Sequence, residues 1–204
     1  MAANYLCNPK ASGTTLGTDV QTELNQVRRH RALPLIEQYQ WIAGAAAFAN
    51  PVASLDLLAT ATINAQLVVD LGAIYQQQFS LEQAKTVMGN LAGQMVKLGL
   101  VEMASQAIAP LLKSHALTYV AGGTLQGISA AYLTQIAGLS LVEYFEEQSL
   151  NPSVGSNFKI DRWVEKLKAV FAANQRTEVL RSWVKQGMRR LAPESSRAAT
   201  ASQH

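Results

Sequence analysis

Charged side chains are scarce in the middle of this sequence. Only eight formal charges occur between Ala32 and Val142, and charged residues make up 15% of the 204 residues, against roughly 25% in ordinary soluble domains. This scarcity excludes a middle region that faces water on all sides, so we expect burial by protein or by lipid. Because 49% of the residues are hydrophobic, the chain can bury a sizeable core within one domain.

Cysteine and histidine are nearly absent, which excludes several kinds of site. The single cysteine, Cys7, cannot form an intrachain disulfide or a thiolate metal site. The three histidines, His30, His115 and His204, have no further ligand at metal-binding spacing. The sequence also lacks a phosphate-binding loop and a nucleophile elbow. We therefore predict a chain that is not an enzyme and that binds no cofactor.

Basic residues are concentrated on both sides of the uncharged middle. Arg28, Arg29 and Arg31 precede it, and most of the other cations follow Asn157. An apolar middle between cationic flanks is typical of a helical module that lies in or against a membrane, with both ends on the cytoplasmic side. Anionic lipid headgroups are the expected partners. Nucleic acid is not expected, because the basic segments contain no recognisable reading motif.

Helix-breaking and capping residues predict an all-α fold. We expect a multi-helix bundle with two hydrophobic, low-charge, hairpin-like segments and basic amphipathic C-terminal helices. Pro34 and Pro110 are expected to interrupt helices, Asn50-Pro51 to restart one, and Ser80 with Gln83 to form a capping box before a helix at Leu81. Its apolar seam is predicted to comprise Leu81, Ala84, Met88, Leu91, Met95 and Leu98.

The predicted organisation has five parts. They are a disordered leader (1–19), a hydrophobic helical domain (20–150), a linker (151–158), two basic amphipathic helices (159–191) and a disordered tail (192–204). The two basic helices are expected at about Ile160–Ala173 and Thr177–Leu191.

Small residues in the uncharged middle predict close helix packing. Gly123, Gly127 and Ala131 recur every four residues, and Gly138 follows on the same stretch. Without bulky side chains, this face allows another helix backbone to approach closely.

A second candidate feature is a polar strip within an apolar segment. Asp56, Thr60, Asn64 and Asp70 fall near one helix face. If the segment lies in lipid, such a strip would point inward, where it could line a water path or bind a partner. If the segment is soluble, the strip is its water-exposed face. Asp56 then lies in the first turn of the helix, where the helix dipole favours an anion.

The last predicted helix has an apolar stripe and a cationic face. Trp183 lies on the stripe, and Arg181, Lys185, Arg189 and Arg190 lie mostly off it. This pattern predicts a membrane-surface contact, with Trp at the boundary and the cations near headgroups. The alternative is an ordinary surface helix packed on the domain.

The stretch from about Leu35 to Phe145 contains an ordered set of helix breaks and glycines. It includes Asn50-Pro51 followed by Asp56, the run YQQQFSLEQA from Tyr75 to Ala84, the run GISAAYL from Gly127, and Ala137-Gly138-Leu139. In these residues the chain resembles the YcjF-type helical domain of unknown function (domain of unknown function 697), in the version found C-terminal to Era-like, HSR1-related GTPases in cyanobacteria. The resemblance implies a membrane-associated accessory module, but no catalytic residues. The GTPase domain that often precedes the module is absent from this sequence.

Three functions remain open from the sequence. The first is a non-catalytic membrane-associated helical module on the cytoplasmic face of a membrane, the cytoplasmic or thylakoid membrane if the source is cyanobacterial. It would be accessory or regulatory to a GTPase supplied by another chain or by a missing N-terminal domain. It would contact lipid through helices around Trp41–Leu58 and Leu117–Val142. The second is a soluble all-α interaction or adaptor domain, and the third, least favoured, is a transporter or pore. The sequence leaves the oligomeric state open.

Overall fold

Seven α-helices make up the described part of the chain. The computed structural model describes residues 9–49, 53–113, 123–151, 158–175 and 177–191, and the side chains of 17–49, 61–112, 123–151, 158–175 and 180–190. The helices are α1 (Pro9–Ala49), α2 (Ala53–Ile74), α3 (Leu81–Lys97), α4 (Leu100–Lys113), α5 (Gly123–Leu150), α6 (Ile160–Asn174) and α7 (Thr177–Leu191). These ranges contain no strand, and the predicted all-α bundle is confirmed.

Helix α5 is the central element of the bundle. It packs against α1, α2, α4, α6 and α7, and more than half of its residues are buried around its whole circumference. A helix that is apolar on all sides is stable in water only when other helices surround it. The low charge of this segment is therefore explained, within the described residues, by burial in protein.

Helices α1 and α5 run antiparallel along most of their length. Asn25 donates a hydrogen bond to Ser149 Oγ at 2.7 Å, Ile36 lies against Gly138, and the carbonyl oxygen of Phe48 lies against Gly123. The contact spans residues 25 to 48 of α1, which corresponds to about 35 Å of helix. This long antiparallel pair forms the framework on which the other helices pack.

The start of α3 agrees with the prediction. Ser80 Oγ accepts the Gln83 backbone N–H at 3.2 Å, and Gln83 Oε1 accepts the Ser80 backbone N–H at 2.9 Å, so both bonds of the capping box are present. Four members of the predicted apolar seam are buried: Ala84, Met88, Leu91 and Met95. Local sequence thus specifies this helix well, because a reciprocal cap satisfies two backbone donors at once.

The expected breaks at Pro34 and Pro110 are wrong. Pro34 lies inside α1 and Pro110 inside α4. Both side chains are exposed, so the carbonyls that each proline leaves without a partner face the outside of the bundle, where water can bond to them. The break before α4 occurs instead at Gly99, whose φ of +67° favours glycine.

The helical structure also begins earlier than predicted. Helix α1 starts at Pro9, inside the segment 1–19 that was expected to be a disordered leader. The predicted restart at Asn50-Pro51, most of the linker and the C-terminal tail lie outside the described residues. The two basic helices begin where they were predicted, at Ile160 and Thr177.

Candidate functional site: the uncharged end of the bundle

Four segments of the bundle contain no charged residue. Residues 41–49 of α1, 61–69 of α2, 103–112 of α4 and 123–142 of α5 contain no Asp, Glu, Lys or Arg. The end of α1 meets the start of α5 directly, where Phe48 lies against Gly123. We call the bundle end formed by the last turns of α1 and the first turns of α5 the uncharged end.

Close packing between α1 and α5 depends on two of the predicted small residues. A Cβ atom at Gly123 would lie 2.9 Å from the backbone oxygen of Phe48, and one at Gly138 would lie 2.9 Å from Ile36 Cγ1. Gly127 and Ala131 are also buried on α5. The small side chains therefore lie in the core, and at Gly123 and Gly138 the neighbouring helix is α1.

The opposite end of the bundle contains a network of charged and polar side chains. Arg29 forms an ion pair of 2.7 Å with Glu146, whose other oxygen accepts the Tyr75 hydroxyl at 3.0 Å. Arg28, which is 8% exposed, lies over the Tyr75 ring with its Cζ 5.9 Å from the ring centroid. Burial, followed by the charge of Glu146, raises the pKa of Tyr75. The network joins α1, α5 and the end of α2.

A second group of ion pairs fixes α6 to this same end of α5. Glu147 pairs with Arg162 at 2.8 Å and with Lys166. The hydrogen bond from Lys166 is the main cause that lowers the pKa of Glu147. Sequence reasoning missed both networks, because their members are distant in the chain and none of them forms a local motif.

The predicted polar strip is only partly described. Asn64 is buried and borders a cavity beside α5, while Asp70 accepts hydrogen bonds from the Tyr39 hydroxyl at 2.6 Å and from Gln66 at 3.0 Å. Burial and the bond to Asp70 raise the pKa of Tyr39 to about 12. The side chains of Asp56 and Thr60 lie outside the described part. Asp70 therefore links α2 to α1.

The predicted membrane contact of Trp183 is wrong for this arrangement. Trp183 is 8% exposed and stacks on Trp41, with ring centroids 5.6 Å apart and an interplanar angle of 14°. Tyr132 meets Trp183 edge-on at 5.5 Å. Aromatic burial of this kind stabilises a protein core, so the apolar stripe of α7 packs on the domain, as the alternative interpretation expected.

The predicted cations of α7 are exposed, and the helix that carries them lies beside the uncharged end. Arg181, Lys185 and Arg189 face outward, and Arg190 pairs with Glu37 at 3.0 Å. Gly187 lies against Ile128 and Trp41. Because Ile128 is five residues from the start of α5, α7 passes about 8 Å from that terminus. A cationic helix therefore lies beside the uncharged end.

Length and composition identify one described helix that could cross a membrane, namely α5, and 67% of its apolar window is buried inside the protein. Helices α3 and α4 meet the same criteria together, but they are bent by 66° at their junction. A mostly buried core helix of a soluble protein also meets these criteria. Within the described ranges, no three His, Cys, Asp or Glu side chains form a metal-binding group.

Comparison with known proteins identifies the family. The family model for the Domain of unknown function (DUF697) matches residues 11–168, which include α2, α3, α4 and α5 entirely and most of α1 and α6. The chain belongs to this family. No curated protein and no solved structure matches it. The DUF697 match ends within α6, so α7, with its exposed cations, lies beyond the matched residues.

Proposed function

We propose that this DUF697 chain is a non-catalytic, membrane-associated helical module. The uncharged end enters the lipid, and the cations of α7 lie at the level of the headgroups. The main support is the separation of charge along the bundle. Charged networks join the helices at one end, whereas the segments of α1 and α5 that meet at the other end contain no formal charge. Asp56 is the one formal charge in the sequence between Trp41 and Val69.

The exposed cations of α7 support binding to anionic membranes. Arg181, Lys185 and Arg189 are exposed beside the uncharged end, and each basic residue near an anionic surface contributes about 1 kcal/mol. Replacement of all three by Gln should weaken binding to phosphatidylglycerol vesicles on the order of 100-fold. A control that replaces Lys97, Lys159 and Lys168 by Gln removes the same charge from exposed positions on other faces.

Vesicle flotation with a matched pair of variants tests insertion of the uncharged end. Ile42 lies near this end and is 44% exposed, while Leu33 is equally exposed on the same helix at 43%. Ile42→Asp should abolish flotation with phosphatidylglycerol vesicles, because a carboxylate is costly in the acyl region. Leu33→Asp should float like the unmodified chain. Loss of flotation in both variants, or in neither, would contradict the proposed orientation.

Burial of α5 favours a second candidate function, a soluble helical interaction module. In that case the chain would remain in the supernatant as a monodisperse particle. Resistance to high salt combined with extraction by detergent would support insertion, whereas release by salt alone would indicate surface binding.

We also propose a GTPase as the protein partner, supplied either by another chain, which the experiment below tests, or by a missing N-terminal domain. The resemblance to modules that follow Era-like GTPases supports this part of the proposal. The test is copurification of the tagged full chain from native membranes in the presence of GTP or GDP. Recovery of a GTP-binding protein in amounts that differ between GTP and GDP would support the partnership. Recovery of no GTP-binding protein would contradict it.

A further inference from the structure

A cavity lies beside the central helix, away from the charged networks. Its volume is about 390 Å³, and it is bounded by α2, α3, α4 and one face of α5. This volume falls within the range of roughly 300–1,000 Å³ that is usual for small-molecule sites. Helix α3 packs mainly on α2, which leaves space between α3 and α5.

The wall that α5 contributes is polar, although it is deeply buried. Ser129 and Thr134 are 7% and 1% exposed. Their hydroxyl oxygens, together with Gln126 Oε1, have no hydrogen-bond partner among the described residues, and all three residues line the cavity. Buried polar atoms in native proteins nearly always have a partner. Three such atoms on one wall therefore point to a ligand that supplies hydrogen bonds.

The opposite wall is apolar. Met88, Met95 and Val101 line it from α3 and α4. Ser105, also on α4, already donates its hydroxyl proton to the Val101 carbonyl oxygen at 3.0 Å. Methionine side chains adapt their shape to irregular apolar ligands. A ligand in this cavity would consequently have one face or end that bonds to α5 and a hydrocarbon part that contacts α3 and α4.

None of the fifteen described residues that line the cavity carries a charge. A carboxylate or ammonium group placed there would lose its hydration without gaining an ionic partner, which is strongly unfavourable. The site therefore selects against charged amphiphiles. Val96 and Val101, which are 65% and 39% exposed, provide an apolar rim through which a chain could extend.

We propose that this cavity binds a neutral amphiphile, a molecule with a hydrocarbon chain and an uncharged hydroxyl or carbonyl head. The head bonds to Gln126, Ser129 and Thr134, and the chain lies against the methionines of α3. This binding is separate from membrane association, because it requires neither vesicles nor the cations of α7.

Dye displacement from the purified full chain tests the proposal. N-phenyl-1-naphthylamine, a neutral apolar dye, should gain fluorescence on binding, and 1-dodecanol should displace it. Dodecane should bind at least five- to tenfold more weakly than 1-dodecanol, because the loss of a single neutral hydrogen bond already corresponds to about that factor. Dodecanoate should bind more weakly still, because its charge has no partner in the cavity.

Two variants locate the binding site. Thr134→Val keeps the shape of the side chain but removes the hydroxyl, so it should weaken 1-dodecanol binding five- to tenfold and leave dodecane binding unchanged. Ala92→Leu fills part of the cavity and should weaken both ligands. Ala173→Leu, at an exposed position on α6, is the control and should change neither.

Several results would overturn the proposal. One is the absence of dye displacement by 1-dodecanol, which is the result expected if the cavity is filled by water or covered by another part of the chain. Another is equal affinity for the alcohol, the alkane and the carboxylate, which would indicate non-specific apolar binding. Equal effects of Ala92→Leu and Ala173→Leu would place the binding elsewhere. If Thr134→Val does not fold, Ser129→Ala provides the same comparison between alcohol and alkane.

Discussion

Replacement of two glycines by alanine should have opposite effects on stability. Gly138 lies at the contact between α5 and α1, where a Cβ atom would meet Ile36 Cγ1 at 2.9 Å, Cγ2 at 3.0 Å and Cδ1 at 3.2 Å. Gly93 lies on the exposed side of α3, where a Cβ atom would meet nothing within 4 Å. Both substitutions gain about 1 kcal/mol of helix propensity. Gly138→Ala alone also requires a shift of Ile36, which is 2% exposed.

The difference between the two variants isolates the steric cost. Overpacking a core costs about 1–3 kcal/mol, so Gly93→Ala should stabilise the chain by about 1 kcal/mol, whereas Gly138→Ala should leave it unchanged or destabilise it by up to about 2 kcal/mol. A difference of about 2 kcal/mol corresponds to a Tm difference of about 4–8 °C in a domain of this size. Urea unfolding followed by circular dichroism measures it. Equal changes in both variants would refute the close α1–α5 contact.

A double-mutant cycle provides an internal control for this prediction. Ile36→Ala alone should destabilise the chain by about 2–5 kcal/mol, because it leaves a cavity. In the Gly138→Ala background the same change should cost less, since the new methyl group no longer meets Ile36. We expect a coupling energy of about 0.5–3 kcal/mol. Strict additivity would show that the two residues are not in contact.

Three further predictions concern single side chains. Ser140→Ala should destabilise the chain by about 1–3 kcal/mol in urea unfolding, because the buried Trp163 indole N–H, which donates to Ser140 Oγ at 2.9 Å, loses its acceptor. A loss of stability smaller than that caused by replacing an exposed serine with alanine would contradict this prediction. Thr134→Val should leave the free energy of unfolding of the ligand-free chain unchanged or raise it by about 1 kcal/mol, because it removes a buried unpaired hydroxyl. Clear destabilisation would indicate that the hydroxyl has a partner. Glu147→Gln should reduce stability at pH 7 by no more than about 1 kcal/mol, because the Lys166 pair is partly exposed. The pKa of Glu147 is lowered in the folded chain, so the stabilisation by its ion pair is present at pH values above the ordinary pKa of 4.5 and is lost as the pH falls through the pKa of the folded chain. A stability difference between Glu147→Gln and the unmodified chain that grows in acid would contradict the assignment.

Local sequence features determined the helical class and several helix termini. The capping box at Ser80 and the apolar seam of α3 could be predicted because both depend on residues within a few turns of one another. The boundaries of the two C-terminal helices and the small residues of α5 followed from the same kind of local pattern. Pro34 and Pro110 misled the prediction, because the cost of a proline within a helix depends on whether the freed carbonyl faces water or the core.

Only the tertiary structure decided which surfaces are covered. The stripe of α7 fits an interfacial helix or a packed surface helix equally well in sequence, and the stacking of Trp183 on Trp41 shows that it is packed. The pairing of Arg29 with Glu146 and the cavity beside Thr134 involve residues from helices that are distant in the chain. Periodicity along one helix specifies an apolar face, but the element that covers this face is set by long-range packing, which depends on all the helices together.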